Sequence, residues 1–295
     1  MTLELPDDFD FGGPEAFDQG HEPTGIVEVD LEIDEEHVDD PTGPQPLIRI
    51  SSSAKTDTGM RRDHNEDAMA SIRSEIFVIA DGMGGYAAGE VASELATTVL
   101  TEAFETESFG GERDGTLPRR ADELVRAVKS ANRTIWEAAQ EDEERQGMGS
   151  TLVAARFAPN KKRVYIAHVG DSRCYRLRDS TLEQLTHDHT LEALGITGPA
   201  RHKLVRALGV EPEVDVDLRI DEPRHGDQFI LCSDGLSKML SDDDIVTVIL
   251  ASASIDDAVE HLVSEANHRG GRDNVSVIIV RVDDLAESMA LAATT

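Results

Sequence analysis

The segment Ile76-Phe77-Val78-Ile79-Ala80-Asp81-Gly82-Met83-Gly84-Gly85 sets five apolar residues against an acidic, glycine-rich end. A run of that length, rich in β-branched residues, reads as a buried strand entering a loop. A helix is expected next, with Val91, Leu95 and Val99 spaced four apart on one face. The same grammar returns twice. Phe229-Ile230-Leu231-Cys232-Ser233 runs into Asp234-Gly235, and Asp273 stands between the Gly270-Gly271 turn and the run Val275-Ser276-Val277-Ile278-Ile279-Val280.

The segments around these runs set the fold class. Residues 151–157 and 163–169 are β-rich and joined by a connection of hairpin length, and residues 173–177 and 181–185 repeat the arrangement around Asp179-Ser180. Connections this short imply antiparallel pairing, since a parallel pair needs a crossover of about a dozen residues. Strands are expected at 227–232 and 274–282. Helices are expected at 121–139, at 242–250 with Ser241 as N-cap, and at 256–267. Helix pairs alternating with antiparallel strands read as an α+β sandwich, sheets inside and helices outside.

Composition narrows the function. The chain has 295 residues and a net charge of −31, which disfavours nucleic acid as a partner because phosphate backbones need a basic surface. No stretch approaches the roughly 18 apolar residues of a membrane span, and the N-terminus opens with acids, so neither an anchor nor a secretory signal is read. Two cysteines, Cys174 and Cys232, sit in apolar runs and read as buried thiols of a reducing, cytoplasmic compartment. Residues 1–50 hold fifteen Asp/Glu and one basic residue, Arg49, a net of −14 that leaves −17 for the remainder. Residues 1–46 therefore read as a disordered acidic tail, with a short alternating stretch at 26–33, and residues 47–284 as one domain followed by a short tail at 285–295. The acidic tail is expected either to inhibit the domain by competing for its cationic centre or to dock a partner.

The informative acids are those at strand ends, where a rigid backbone aims a carboxylate at a fixed point. Each Asp-Gly alone is a common turn dipeptide. Asp81, Asp234 and Asp273 together, each beside an apolar run, carry more. Carboxylates beside buried strands lose hydration, at a cost of several kcal/mol each unless a cation or hydrogen bonds replace the water. Arg62, Arg173 and Arg272 are available to offset part of this, but no lysine looks dedicated to the three acids, and oxygen donors of this kind suit hard divalent cations. Zinc is disfavoured: His187-x-His189 is the one paired histidine spacing, and there is no cysteine cluster. Asp171 and Arg173 read as a turn pair, His187 and His189 as loop hydrogen-bonders, and Trp136 as helix packing.

The order of these and further motifs resembles that of the metal-dependent protein phosphatases of type 2C, particularly the bacterial branch. Arg62-Asp63-His64-Asn65-Glu66-Asp67 is similar to the family's opening Arg-x-x-Asn-Glu-Asp. Asp81-Gly82-Met83-Gly84-Gly85 with Ala88-Gly89-Glu90-Val91-Ala92 looks like its metal loop and following helix. Gly147-Met148-Gly149-Ser150-Thr151, Gly170-Asp171-Ser172-Arg173, Leu185-Thr186-His187-Asp188-His189-Thr190 and Arg206-Ala207-Leu208-Gly209 follow, and Cys232-Ser233-Asp234-Gly235-Leu236 and Asp273-Asn274-Val275-Ser276-Val277 close the series. Any one is weak; the ordered set is specific.

The resemblance implies a four-layer α-β-β-α sandwich with two central antiparallel sheets and a dimetal cleft. It implies two Mn²⁺ or Mg²⁺ ions, with Asp81 bridging them, the Gly82 carbonyl on one, Asp234 and Asp273 on the other, and Glu66 and Asp67 acting through bound waters. A weaker third ion is expected near Glu144 or Asp142. Arg62 is expected to bind the substrate phosphate, and a hydroxide between the ions to attack phosphorus. Met83 stands where eukaryotic relatives carry a histidine, so a metal-bound water is expected to serve as general acid, and the flap at 190–206 is shorter than in typical bacterial members. The implied activity is hydrolysis of phosphoserine and phosphothreonine in proteins by a monomeric enzyme opposing serine/threonine kinases. The alternatives are a phosphatase dedicated to one regulator of the anti-sigma-antagonist type and a phosphoprotein-binding pseudophosphatase.

Overall fold

The computed structural model describes residues 48–84, 88–159 and 162–284. The acidic tail at 1–46, its alternating stretch and the tail at 285–295 lie outside the described residues. Two antiparallel sheets form the centre. One runs, in spatial order, β1 (Ile48–Asp57), β11 (Val275–Asp284), β10 (Gln228–Cys232), β7 (Arg173–Arg178) and β8 (Thr181–Gln184). The other runs β2 (Asp67–Ile72), β3 (Ile76–Met83), β5 (Leu152–Phe157), β6 (Val164–Val169) and β9 (Asp217–Asp221), with the short β4 (Gly149–Ser150) pairing the end of β3. The expected strands are present, and β1, β2 and β9 extend the sheets beyond them.

Four layers follow from what each strand face buries. In β3 the apolar run alternates despite its uniform chemistry, because successive side chains point to opposite faces. Phe77 and Ile79 join the core between the sheets, with Phe157, Ile166, Phe229, Leu231 and Val280. Val78 and Ala80 face outward onto α1 (Ala88–Thr106) and α2 (Arg119–Glu141). The outer face of the β1-β11-β10-β7-β8 sheet, through Tyr175, Ile230 and Val277, packs on α3 (Asp234–Ser237), α4 (Asp242–Ala251) and α5 (Ile255–His268). Helices therefore lie outside both sheets, the expected α-β-β-α order.

Local signals placed the ends well. Ser241 caps α4 with a reciprocal box, its side chain accepting from the Asp244 amide while Asp244 accepts from the Ser241 amide. Asp179 and Ser180 both take positive φ, 49° and 63°, in the tight turn joining β7 and β8. One expectation shifts. The buried stripe of α1 is Ala92, Ala96 and Leu100, with Val91, Leu95 and Val99 only half-buried along its flank. Small residues let the helix backbone approach the sheet, so the larger side chains seal its edge. Cys174 and Cys232 are free and buried on opposite faces of their sheet, one in each core layer, and burial pushes the Cys232 thiol up to about 12.

Candidate metal centre

The alternation that builds the core also builds the site. Continuing β3 two residues past Ile79 turns Asp81 to the same inward face, at the mouth between the sheets. Asp67 of β2 is its direct register partner and shares that face. Like charges set directly opposite repel, so an apolar strand ending in this pair needs an external reason. Asp67 reaches across the gap: its Oδ2 accepts from Ser233 Oγ at 2.8 Å, just past the end of β10, and from Ser276 Oγ at 2.7 Å on β11. Asp234 opens α3 immediately after β10, and Asp273 precedes β11.

Backbone contacts hold these donors in place. The Asp81 carbonyl accepts from the Thr151 amide at 2.8 Å and from Ser150 Oγ at 3.1 Å. The Gly82 amide donates to the Glu66 carbonyl at 2.9 Å, tying the β3 end to the loop that carries Arg62 and Glu66. A Cβ on Gly82 would lie 2.0 Å from the Gly89 carbonyl oxygen and 2.7 Å from that of Glu66, so only glycine fits. Asn274 anchors the same loop, donating to the carbonyls of Thr58 and His64 and accepting from the Glu66 amide at 2.8 Å. At the rim the Arg62 guanidinium spans two acids, with Nη2 2.8 Å from Asp273 Oδ1 and Nη1 3.2 Å from Glu66 Oε2.

The electrostatics are those of a site built for a cation. Burial, opposed only partly by the Ser276 and Ser233 hydrogen bonds, pushes Asp67 up to about 7. Burial also raises Asp81, and the charges of Asp67, Asp234, Asp171 and Asp273 add to the effect. Asp171 is likewise raised to about 7 by burial and by Asp234. Two carboxylate oxygens, Asp67 Oδ1 and Asp234 Oδ1, are buried with no partner among the described residues. An unsatisfied buried carboxylate oxygen is costly, and a divalent cation with oxygen preference supplies what both lack. The donor set has no sulfur or imidazole, so Mg²⁺ or Mn²⁺ fits better than zinc.

A stability prediction follows from the sign of these shifts. Metal-free, the folded protein holds protons on Asp67 and Asp171 up to about pH 7, whereas an unfolded Asp releases its proton near pH 4. Folded protein binds more protons across that window, so metal-free stability falls as pH rises through it. Melting curves from pH 5 to 8 should therefore show the metal-free Tm falling and the gap to the Mn²⁺-loaded Tm widening. Parallel curves would contradict the binding of divalent cations among these acids.

Arg62, Glu66, Asp67, Asp81, Gly82, Asp234 and Asp273 are thus brought together. Glu144 is not: it lies on the exposed turn Glu143–Arg145, its amide donating to Asp142 Oδ1, away from the contacts that build the cluster. Two expectations about neighbours change. Asp171 and Arg173 are no turn pair, because Arg173 grips Asp188 (Nη2 to Oδ2 2.6 Å) while Asp171 joins the acids. Asp171 follows β6 as Gly170-Asp171, the same strand-end grammar as Asp81, so its signal was legible. The apparent absence of a dedicated lysine also fails: Lys238, one turn after Asp234, forms an ion pair with Asp234 Oδ2.

A second group, His168, His189 and Asp217, brings potential ligand atoms within 4.8 Å of one another. Its atoms are already engaged. His189 Nδ1 accepts from the Gly170 amide, His168 Nε2 meets the His187 carbonyl, and Asp217 binds Arg206. His189 thus acts as a loop hydrogen-bonder, as expected, and His187 takes part through its backbone, which meets His168 Nε2.

Comparison with known proteins agrees with this geometry. The family model described as protein phosphatase 2C matches residues 60–271. The chain is 37% identical over 245 residues to the serine/threonine phosphatase stp of Listeria welshimeri, covering 77% of this chain and 93% of that one. The crystal structure of the Mycobacterium tuberculosis serine/threonine phosphatase PstP/Ppp superposes with a TM-score of 0.71 at 35% identity, covering 80% of this chain and all of that one. The catalytic domain of PstP in complex with 2 manganese ions gives a TM-score of 0.70 at 36% identity, with the same coverage.

Proposed function

This chain belongs to the protein phosphatase 2C family of metal-dependent serine/threonine protein phosphatases, and from that premise we propose that the carboxylate cluster between the sheets is its active centre. The observation that carries the reading is the pair of buried, unpartnered oxygens, Asp67 Oδ1 and Asp234 Oδ1, in an all-oxygen site with a guanidinium at its rim. Asp81, central to the cluster, would be shared by two Mn²⁺ or Mg²⁺ ions. The Gly82 carbonyl, Asp234 and Asp273 would complete their protein ligands, and Glu66 and Asp67 would act through water. When bound, the ions supply Lewis acidity and an activated water for attack on phosphorus.

The protein's own residues do the rest. Arg62 presents a planar fork of donors, already oriented by Glu66 and Asp273, that binds two phosphoryl oxygens as their charge grows. The Asn274 contacts hold the loop from Thr58 to Glu66 against β11, so the fork stays registered with the acids. Met83 packs toward Gly149 and offers no proton. Cys174 and Cys232, buried in the core layers, take no nucleophilic part.

The substrates are phosphoproteins; we take them to be serine/threonine kinases and their targets, met in the cytoplasm by a monomeric enzyme. Among the described residues no helix is long and apolar enough to cross a membrane. Hydrolysis of a phosphothreonine peptide should require Mn²⁺ or Mg²⁺. Arg62→Ala should raise KM about tenfold or more, with Arg62→Lys intermediate because a point charge replaces the fork. An unchanged KM in Arg62→Ala would remove Arg62 from phosphate binding.

A further inference from the structure

The lysine that the strand-end reading missed has a consequence for how many cations the centre holds. Lys238 sits one turn along α3 from Asp234 and pairs with its Oδ2, leaving Oδ1 unpartnered. Asp171 lies nearby at the end of β6 without an ion pair of its own to Lys238, and both acids and Lys238 line one cavity of about 470 Å³. The two carboxylates are almost fully enclosed, Asp171 at 6% exposure and Asp234 at 9%. Among the described residues no arginine pairs with Asp171, since Arg173 is committed to Asp188 and Arg62 to Asp273 and Glu66. The Lys238 charge is felt at Asp234, Asp171 and Asp81 together.

We propose that the Lys238 ammonium is a resident counter-ion of Asp171 and Asp234, occupying the place of a third divalent cation so that the centre takes two. The inference rests on the dimetal reading above. With Asp81, Asp234 and Asp273 assigned to two ions, Asp171 remains as a buried carboxylate needing a counter-charge. The ammonium supplies it from a flexible stem that can slide from Asp234 toward Asp171 as an ion settles on Asp234. A further divalent cation would have to displace that ammonium or sit beside it at the cost of like-charge repulsion.

The test is a titration of Mn²⁺ into the metal-free full-length chain, followed by calorimetry and native mass spectrometry, with melting curves to confirm folding. Wild type and Lys238→Arg should each take two ions. Lys238→Asp should take three, the third at least about tenfold tighter than any third ion on wild type, and Asp171→Asn in the same chain should abolish it. Lys238→Met, which keeps the apolar stem without the charge, should bind a third ion with intermediate affinity and covers the case in which Lys238→Asp does not fold. Two ions in every variant, or a third ion of equal affinity in wild type and Lys238→Asp, would overturn the role of Lys238. A wild type that binds no Mn²⁺ would overturn the metal reading itself, and the proposal with it.

Discussion

Replacing Asp81 with asparagine should abolish turnover while making the metal-free protein more stable. Asp81 lies at the centre of the acid group, where burial and four neighbouring carboxylates oppose its charge. On the proposed reading that charge would help to hold the cations, and its loss would remove several kcal/mol of transition-state stabilisation, a fall of about 10³-fold or more in kcat/KM. In the metal-free protein the same charge is a liability. Asparagine keeps the shape and relieves the repulsion across the Asp67–Asp81 register pair, a gain of roughly 1–3 kcal/mol. For a domain of this size each kcal/mol raises Tm by about 2–4 °C. Activity assays with Mn²⁺ and melting curves with chelator read both limbs. A variant that loses activity and also melts lower without metal would mean that Asp81 serves the fold rather than a cation.

Gly82→Ala should be nearly as damaging by a different route. The added methyl would sit 2.0 Å from the Gly89 carbonyl oxygen, and that atom belongs to helical backbone with little freedom to withdraw. Something must shift, and the candidates are the β3 end, the start of α1 and the Glu66 loop, which together frame the cluster. Overpacking of this kind costs roughly 3 kcal/mol, and a displaced ligand frame should lower kcat/KM by about 10²-fold. Gly115→Ala is the control: nothing lies within 4 Å of its added methyl, and its stability should change by less than about 0.5 kcal/mol. Denaturant melts of the two variants compare them directly, and equal midpoints would refute the close-approach account of Gly82.

How far the sequence reaches is visible in these residues. Asp81, Asp234 and Asp273 were legible because strand ends announce themselves by a change from apolar run to acid and glycine. Their convergence was not, since nothing local says that β3, β10 and β11 end at one mouth. That came from the ordered resemblance, and the register Asp67↔Asp81 with the Ser233 and Ser276 contacts now supplies the physical reason. Asp171 obeyed the same grammar and was passed over because an arginine two residues on offered a simpler partner. Lys238 was passed over because its partner lies one turn back along a helix of only four residues, too short to leave a periodic pattern. The stripe of α1 was misplaced by one position because small residues, which carry little hydropathy signal, make the closest contact with a sheet. The turn at Glu143–Arg145 is exposed, and among the described residues its acids make no contact with the carboxylate cluster.

On the proposed reading, Asp81, the Gly82 carbonyl, Asp234 and Asp273 meet around a shared pair of divalent ions beside Arg62. Crystals grown with Mn²⁺ and measured at the manganese edge test it by position rather than by activity. Two anomalous peaks are expected, both within coordination distance of Asp81, one touching the Gly82 oxygen and the other Asp234 and Asp273. Manganese found only at His168, His189 and Asp217, or at no ordered position, would contradict it.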